Sequence, residues 1–117
     1  MAEKRTDERI ELTGYVVKII DNSFCNSVII RDVSMGGLRL IRVPSKLAYK
    51  ESPTKITLSG NSLSECYKLT IMPCWRKKKE FYWDVGFYIH RVPVSWKRFV
   101  RIKKMQTEKN RGTFWGL

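Results

Sequence analysis

Five large apolar residues alternate without a break in the last third of the chain: Phe81, Trp83, Val85, Phe87 and Ile89. Side chains spaced by two share one face of an extended backbone, so this run predicts a β-strand with one side committed to a core. The stretch ahead of it has the same period. Tyr67, Leu69 and Ile71 alternate with Lys68, Thr70 and Met72, which predicts a strand running to Trp75. Pro73 has no N–H to give to a ladder, so that strand is expected to lie at an edge or to bulge there. Residues 76–80, rich in charge, read as the hairpin loop between the two.

Shorter strand signals precede this pair. Residues 10–20 form the first, with Ile10, Leu12, Gly14 and Val16 on one side and Gly14 marking a bulge or a tight bend. Residues 28–30 form the second, and residues 38–41 the third, with Leu38 and Leu40 inward. Residues 43–53, holding Pro44 and Pro53, read as loop, and residues 55–58 as the fourth strand. Pro93-Val94-Ser95 then supplies a helix start with Ser95 as N-cap. Trp96, Phe99 and Val100 follow at helical spacing, with Lys97, Arg98, Arg101 and Lys104 on the wet side.

Short strands at regular turn spacing and one amphipathic helix predict a mainly β fold, a small six-stranded antiparallel barrel with the C-terminal helix packed on it. A barrel also removes the free edges that a small open sheet would expose. One domain is expected from 117 residues: an arm at 1–9, the barrel at 10–92, the helix at 94–109 and a tail at 110–117. Trp75, Trp83 and Phe87 are expected in the core, with a stacking platform as the lesser reading. Phe114 and Trp115 in the tail read either as a cap on the barrel or as exposed contacts for a partner.

Charge and chemistry narrow the function. Lysine and arginine number 23 against 11 acidic residues, a net charge of +12, which favours an anionic partner: nucleotide, nucleic acid, membrane surface or acidic protein. Cys25, Cys66 and Cys74 form no C-x-x-C pair and His90 is the one histidine, so neither a disulfide framework nor a metal site is suggested. No apolar run approaches the ~18 residues of a spanning helix, so no membrane insertion is expected. The charged N-terminus lacks the apolar stretch of a secretory signal, which makes a cytoplasmic location the default. No P-loop, H-E-x-x-H or nucleophile elbow is present, and no enzyme and no cofactor are expected.

The unusual stretch is Arg31-Asp32-Val33-Ser34-Met35-Gly36-Gly37-Leu38, read as the turn between the second and third strands. Asp32 and Ser34, two apart, would point to the same side of an extended chain. Gly36 and Gly37 accept φ > 0 and let another group approach the main chain. A carboxylate, a hydroxyl and bare amides at one spot suit a polar planar ligand. The same residues also suit an Asx-turn bonded to itself, with no ligand.

An R-x-x-x-R segment (Arg5, Arg9), then two strands, then D-x-S-x-x-G (Asp32, Ser34, Gly37) resembles the PilZ domain, the bacterial receptor module for cyclic di-GMP. Cys74-Trp75-Arg76 followed by Asp84-Val85-Gly86-Phe87 is similar to that family's later strand pair, so the resemblance runs over nearly the whole chain. It implies the barrel-plus-helix fold. It also implies that Arg5 and Arg9 bind guanine and phosphate, that Asp32, Ser34 and Gly37 form the barrel-side wall, and that the receptor acts on a partner protein in motility, biofilm or virulence control. Lys4, by the same resemblance, would help capture a second ligand molecule; one or two per protomer stays open. The rival expectation is a basic barrel that binds single-stranded nucleic acid by stacking and charge, with Lys97–Lys104 and residues 76–79 on the phosphates.

Overall fold

The computed structural model describes residues 8–19, 28–60 and 65–115, with side chains to Thr107. Its elements are β1 (Ile10–Glu11), β2 (Val16–Ile19), β3 (Ile29–Val33), β4 (Gly37–Val43), α1 (Ser45–Ala48), β5 (Thr54–Ser59), β6 (Cys66–Lys78), β7 (Trp83–His90) and α2 (Val94–Trp115). The strands form one antiparallel sheet in the order β1-β3-β4-β7-β6-β5-β2. That sheet is curled into a half-barrel with α2 as the C-terminal helix, so the mainly β expectation holds, with seven strands in place of six.

The extra strand comes from Gly14. It takes φ 81°, a left-handed conformation that breaks a strand and that a side chain would disfavour. The expected first strand is therefore cut in two. Ile10 and Leu12 are buried, but Val16 is exposed while Val17 and Ile19 are buried, so the inward parity shifts by one across the break. β1 pairs with β3 at one end of the sheet order, and β2 with β5 at the other. Residues 12–15 thus tie the two edges together, and five residue steps span at most ~18 Å. That short tether curls the sheet.

The inward faces meet α2. Val85, Phe87 and Ile89 are buried as their alternation requires, with Leu38, Leu40, Leu58 and Ile71 from neighbouring strands. Trp96, Phe99 and Val100 bury against them, and the Trp96 ring lies 5.3 Å from Phe99 and 5.8 Å from Tyr67. Phe81 departs from expectation. It is 81% exposed, because the strand has already ended in a tight turn closed by Lys79 N–H donating to the Tyr82 carbonyl at 2.8 Å.

Pro73 meets its expectation: β5 pairs with β6 no further than Ile71, so at Pro73 the strand has β7 alone beside it, and the register shifts between Pro73 and Trp75, a bulge that accommodates the missing N–H. Three further expectations are corrected. Residues 43–53 are not all loop, since α1 buries Leu47 and Ala48 completely. The Pro93 carbonyl accepts from the Trp96 and Lys97 N–H groups, both at 3.1 Å, which places Ser95 inside the first turn rather than at the cap. α2 also continues to Trp115, through most of the expected tail; the side chains of Phe114 and Trp115, like Cys25, lie outside the described residues. Among the described residues, no helix is long and apolar enough to cross a membrane.

Tyr67, packed on α2 at 4.7 Å from Phe99, has its pKa raised above 10.0, first by burial and then by the neighbouring charges of Glu65 and Tyr15. The neutral phenol is thus favoured in the folded chain, and the unfolded chain ionises first. Stability from this group is complete below the unfolded pKa of 10.0 and is lost as pH rises through the folded one. Chemical denaturation on both sides of that pH should show wild-type stability falling, with a smaller fall in Tyr67→Phe.

Candidate functional site

Two bulges build the outer face of the half-barrel. In β3 the register shifts between Ile30 and Asp32, so Ile30 sits opposite Leu40 and Asp32 opposite Arg39. Arg31 is the extra residue. Were Arg31 paired with Arg39 in regular register, Asp32 would fall opposite Leu38 and face the core; bulged out, Arg31 leaves the carboxylate on the face that carries Arg39. In β6 Cys74 is the extra residue, so Trp75 sits opposite Gly86 rather than Val85. Arg39 is itself opposite Gly86. Asp32, Arg39, Gly86 and Trp75 consequently form one row across four strands.

The expected turn is shorter than the sequence suggested. Asp32 lies on β3 and Gly37 opens β4, which leaves Ser34, Met35 and Gly36 as the turn. The Asp32 carboxylate is not bonded to its own backbone as an Asx-turn would be. Its Oδ1 accepts from Arg9 Nη1 at 3.1 Å and its Oδ2 from Arg39 Nε at 3.0 Å. The Asp32 side chain is 8% exposed, against 42% for Arg9 and 30% for Arg39. Arg9 is therefore the partner with room to move, while Arg39 is held on its strand.

Ser34 and the glycines hold the corner in place. Ser34 N–H donates to the Gly37 carbonyl at 2.8 Å, and Ile89 N–H to the Gly36 carbonyl at 2.9 Å. The Ser34 carbonyl accepts from Trp96 Nε1 at 3.1 Å, which ties the turn to α2. Gly14 is the glycine with positive φ among the described residues, so Gly36 and Gly37 do not use that freedom. What Gly37 supplies is closeness: a Cβ there would sit 2.6 Å from the Phe87 carbonyl oxygen.

Beside this corner lies an open cleft of about 260 Å³, lined by Arg9, Ser34, Gly36, Gly37, Trp75 and Tyr88 among others. That volume falls below the ~300–1,000 Å³ usual for small-molecule sites, so the described residues make a floor and one wall. Trp75 is not the core residue expected; it is 37% exposed and lies against Gly86, where a Cβ would fall within 2.1 Å of its Nε1. Arg39 and Tyr88 are the residues sequence reasoning missed, while for Trp75 it favours the core over a stacking face. Pro73 and Gly86 carried the available signal, since one foretells a bulge and the other leaves space for a ring.

Of the expected site residues, Arg9, Ser34, Gly36 and Gly37 share this cleft and Asp32 bonds its rim. Arg5 and Lys4 lie outside the described residues. Glu8, next to Arg9, reaches α2 through Lys104 Nζ at 3.0 Å; both ends are well exposed, so this pair adds little stability. Compared with models of known families, with curated proteins and with solved structures, the chain has no significant match.

Proposed function

We propose that this cleft receives cyclic di-GMP and that the protein is a receptor for it. The observation that carries the reading is the 3.1 Å pair between Arg9 of R-x-x-x-R and Asp32 of D-x-S-x-x-G, which joins one residue of each motif. The ligand has two phosphate charges and two guanines. An arginine fork can clamp a phosphate or pair with guanine O6 and N7. Guanine N1–H and N2–H₂ are donors, for which a carboxylate is the matching acceptor.

In this mechanism Arg9 swings from Asp32 to the ligand, while Arg39 keeps the freed carboxylate aimed at a guanine edge. Trp75 offers a ring face for stacking, and Ser34 with the amides at Gly36 and Gly37 meets the remaining oxygens. Arg5 supplies a second guanidinium for guanine or phosphate, and Lys4 helps to capture a second ligand molecule if two bind. The loaded receptor then acts in the cytoplasm on a partner protein in motility, biofilm or virulence control, with no catalysis of its own.

Titration calorimetry tests this. Wild type is expected to bind cyclic di-GMP saturably at micromolar concentration, and Arg5→Ala and Arg9→Ala each to weaken it about ten- to a hundredfold, the worth of one bidentate pair. Bound ligand should also shield Cys74, at the cleft, from alkylation while leaving the exposed Cys66 reactive. No binding heat, with a single-stranded oligonucleotide bound instead and lost steeply with salt, would replace this reading by the nucleic-acid one.

A further inference from the structure

The β6–β7 hairpin carries a surface that the cleft does not use. β5 leaves β6 at Ile71, so residues 72–78 pair with β7 alone on the way to the turn. Arg76, Lys77, Lys78, Lys79, Glu80 and Phe81 are all exposed. Phe81 is the most exposed large hydrophobic among the described residues, at 81%. Glu80 and Asp84 offset part of the charge, Asp84 through a long 3.8 Å pair with Lys79.

The aromatic rings around this tip separate two possible partners. Arg42 lies 5.6 Å over Tyr82, Arg76 lies 4.4 Å over Tyr49, and Lys78 lies 5.2 Å over Trp83. Nucleic-acid bases would need those ring faces for stacking, and cations already cover them. Among the described residues at the tip itself, Phe81 is the ring with neither a cation nor another ring against it. A single bare ring on a convex turn, backed by a band of lysines, has the chemistry of a lipid-surface anchor. The ring enters the headgroup boundary while the long basic side chains stay among the phosphates. Two weak signals of this kind are what stable peripheral binding requires.

We infer that this hairpin docks the protein peripherally on an anionic bilayer, with Phe81 at headgroup depth and Lys77, Lys78 and Lys79 on the lipid phosphates. The proposal does not depend on the cleft's ligand. Sedimentation of the full chain with vesicles of phosphatidylcholine, with or without phosphatidylglycerol, tests it at low salt. Binding is expected only to the vesicles with phosphatidylglycerol. Phe81→Ser should lower the partition about tenfold, and the Lys77→Gln/Lys78→Gln/Lys79→Gln variant about a hundredfold, near fivefold per charge. The Lys97→Gln/Arg101→Gln variant on α2 should bind nearly as wild type does. No binding to anionic vesicles would overturn the proposal. So would unaltered binding by Phe81→Ser, or a loss seen with the α2 variant and not with the hairpin variants.

Discussion

Replacing Trp96 by alanine is expected to remove about 3–5 kcal/mol of folding stability, the range for losing a fully buried large aromatic. Trp96 is 0% exposed, and its ring joins those of Phe99 and Tyr67 in the seam between α2 and the sheet. The loss has two parts. The apolar part is the ring area returned to a cavity that a half-barrel closed by one helix cannot easily collapse. The polar part is the Ser34 carbonyl, left without its donor. Trp96→Phe separates them, because it keeps most of the ring and drops the N–H; about 1–2 kcal/mol should remain lost. Against a total stability of order 5–15 kcal/mol, urea denaturation should find the alanine variant's midpoint lowered by about a fifth or more, and the variant largely unfolded where the total is about 5 kcal/mol. A loss below about 1 kcal/mol in Trp96→Ala would mean that α2 does not close the core.

This dependence also shows which parts of the fold the sequence could disclose. Alternation is a local property, so Val85, Phe87 and Ile89 announce their strand and their buried face without help from any partner. The helical spacing of Trp96, Phe99 and Val100 is equally local. Register is not local. Whether Asp32 faces the core or solvent depends on one extra residue, Arg31, that shows itself only when β3 is laid against β4. Trp75 has the same history in β6, where the parity that puts it on the Tyr67–Ile71 face is broken at Cys74. Gly14 gave a warning of a bend, but its consequence, two strands on opposite edges, belongs to the curled sheet as a whole. The motif pair was legible as two separate strings; the contact between Arg9 and Asp32, 23 positions apart, was not.

That contact sets the second large effect, in ligand affinity. Asp32→Ala is expected to weaken cyclic di-GMP binding about a hundredfold, since guanine donors meeting no acceptor lose a charge-assisted pair worth roughly 1.5–3 kcal/mol. Its effect on the fold should be smaller. Arg9 and Arg39 are 42% and 30% exposed, so water takes over much of what the carboxylate gave them. About 1–2 kcal/mol of stability is expected to go, less than the 3–5 kcal/mol of a buried pair broken from one side. Asp32→Asn keeps one acceptor oxygen but sets an NH₂ against the guanidinium groups or the guanine donors, so it should fall between, near tenfold in affinity. Arg39→Ala leaves the carboxylate in place but unaimed, and should weaken binding by less than Asp32→Ala does. Calorimetry beside urea denaturation distinguishes the outcomes: affinity lost with the fold nearly intact marks Asp32 as a ligand contact. Stability lost with affinity unaltered would mean that the carboxylate serves only to hold β1 and the arm's root against the sheet.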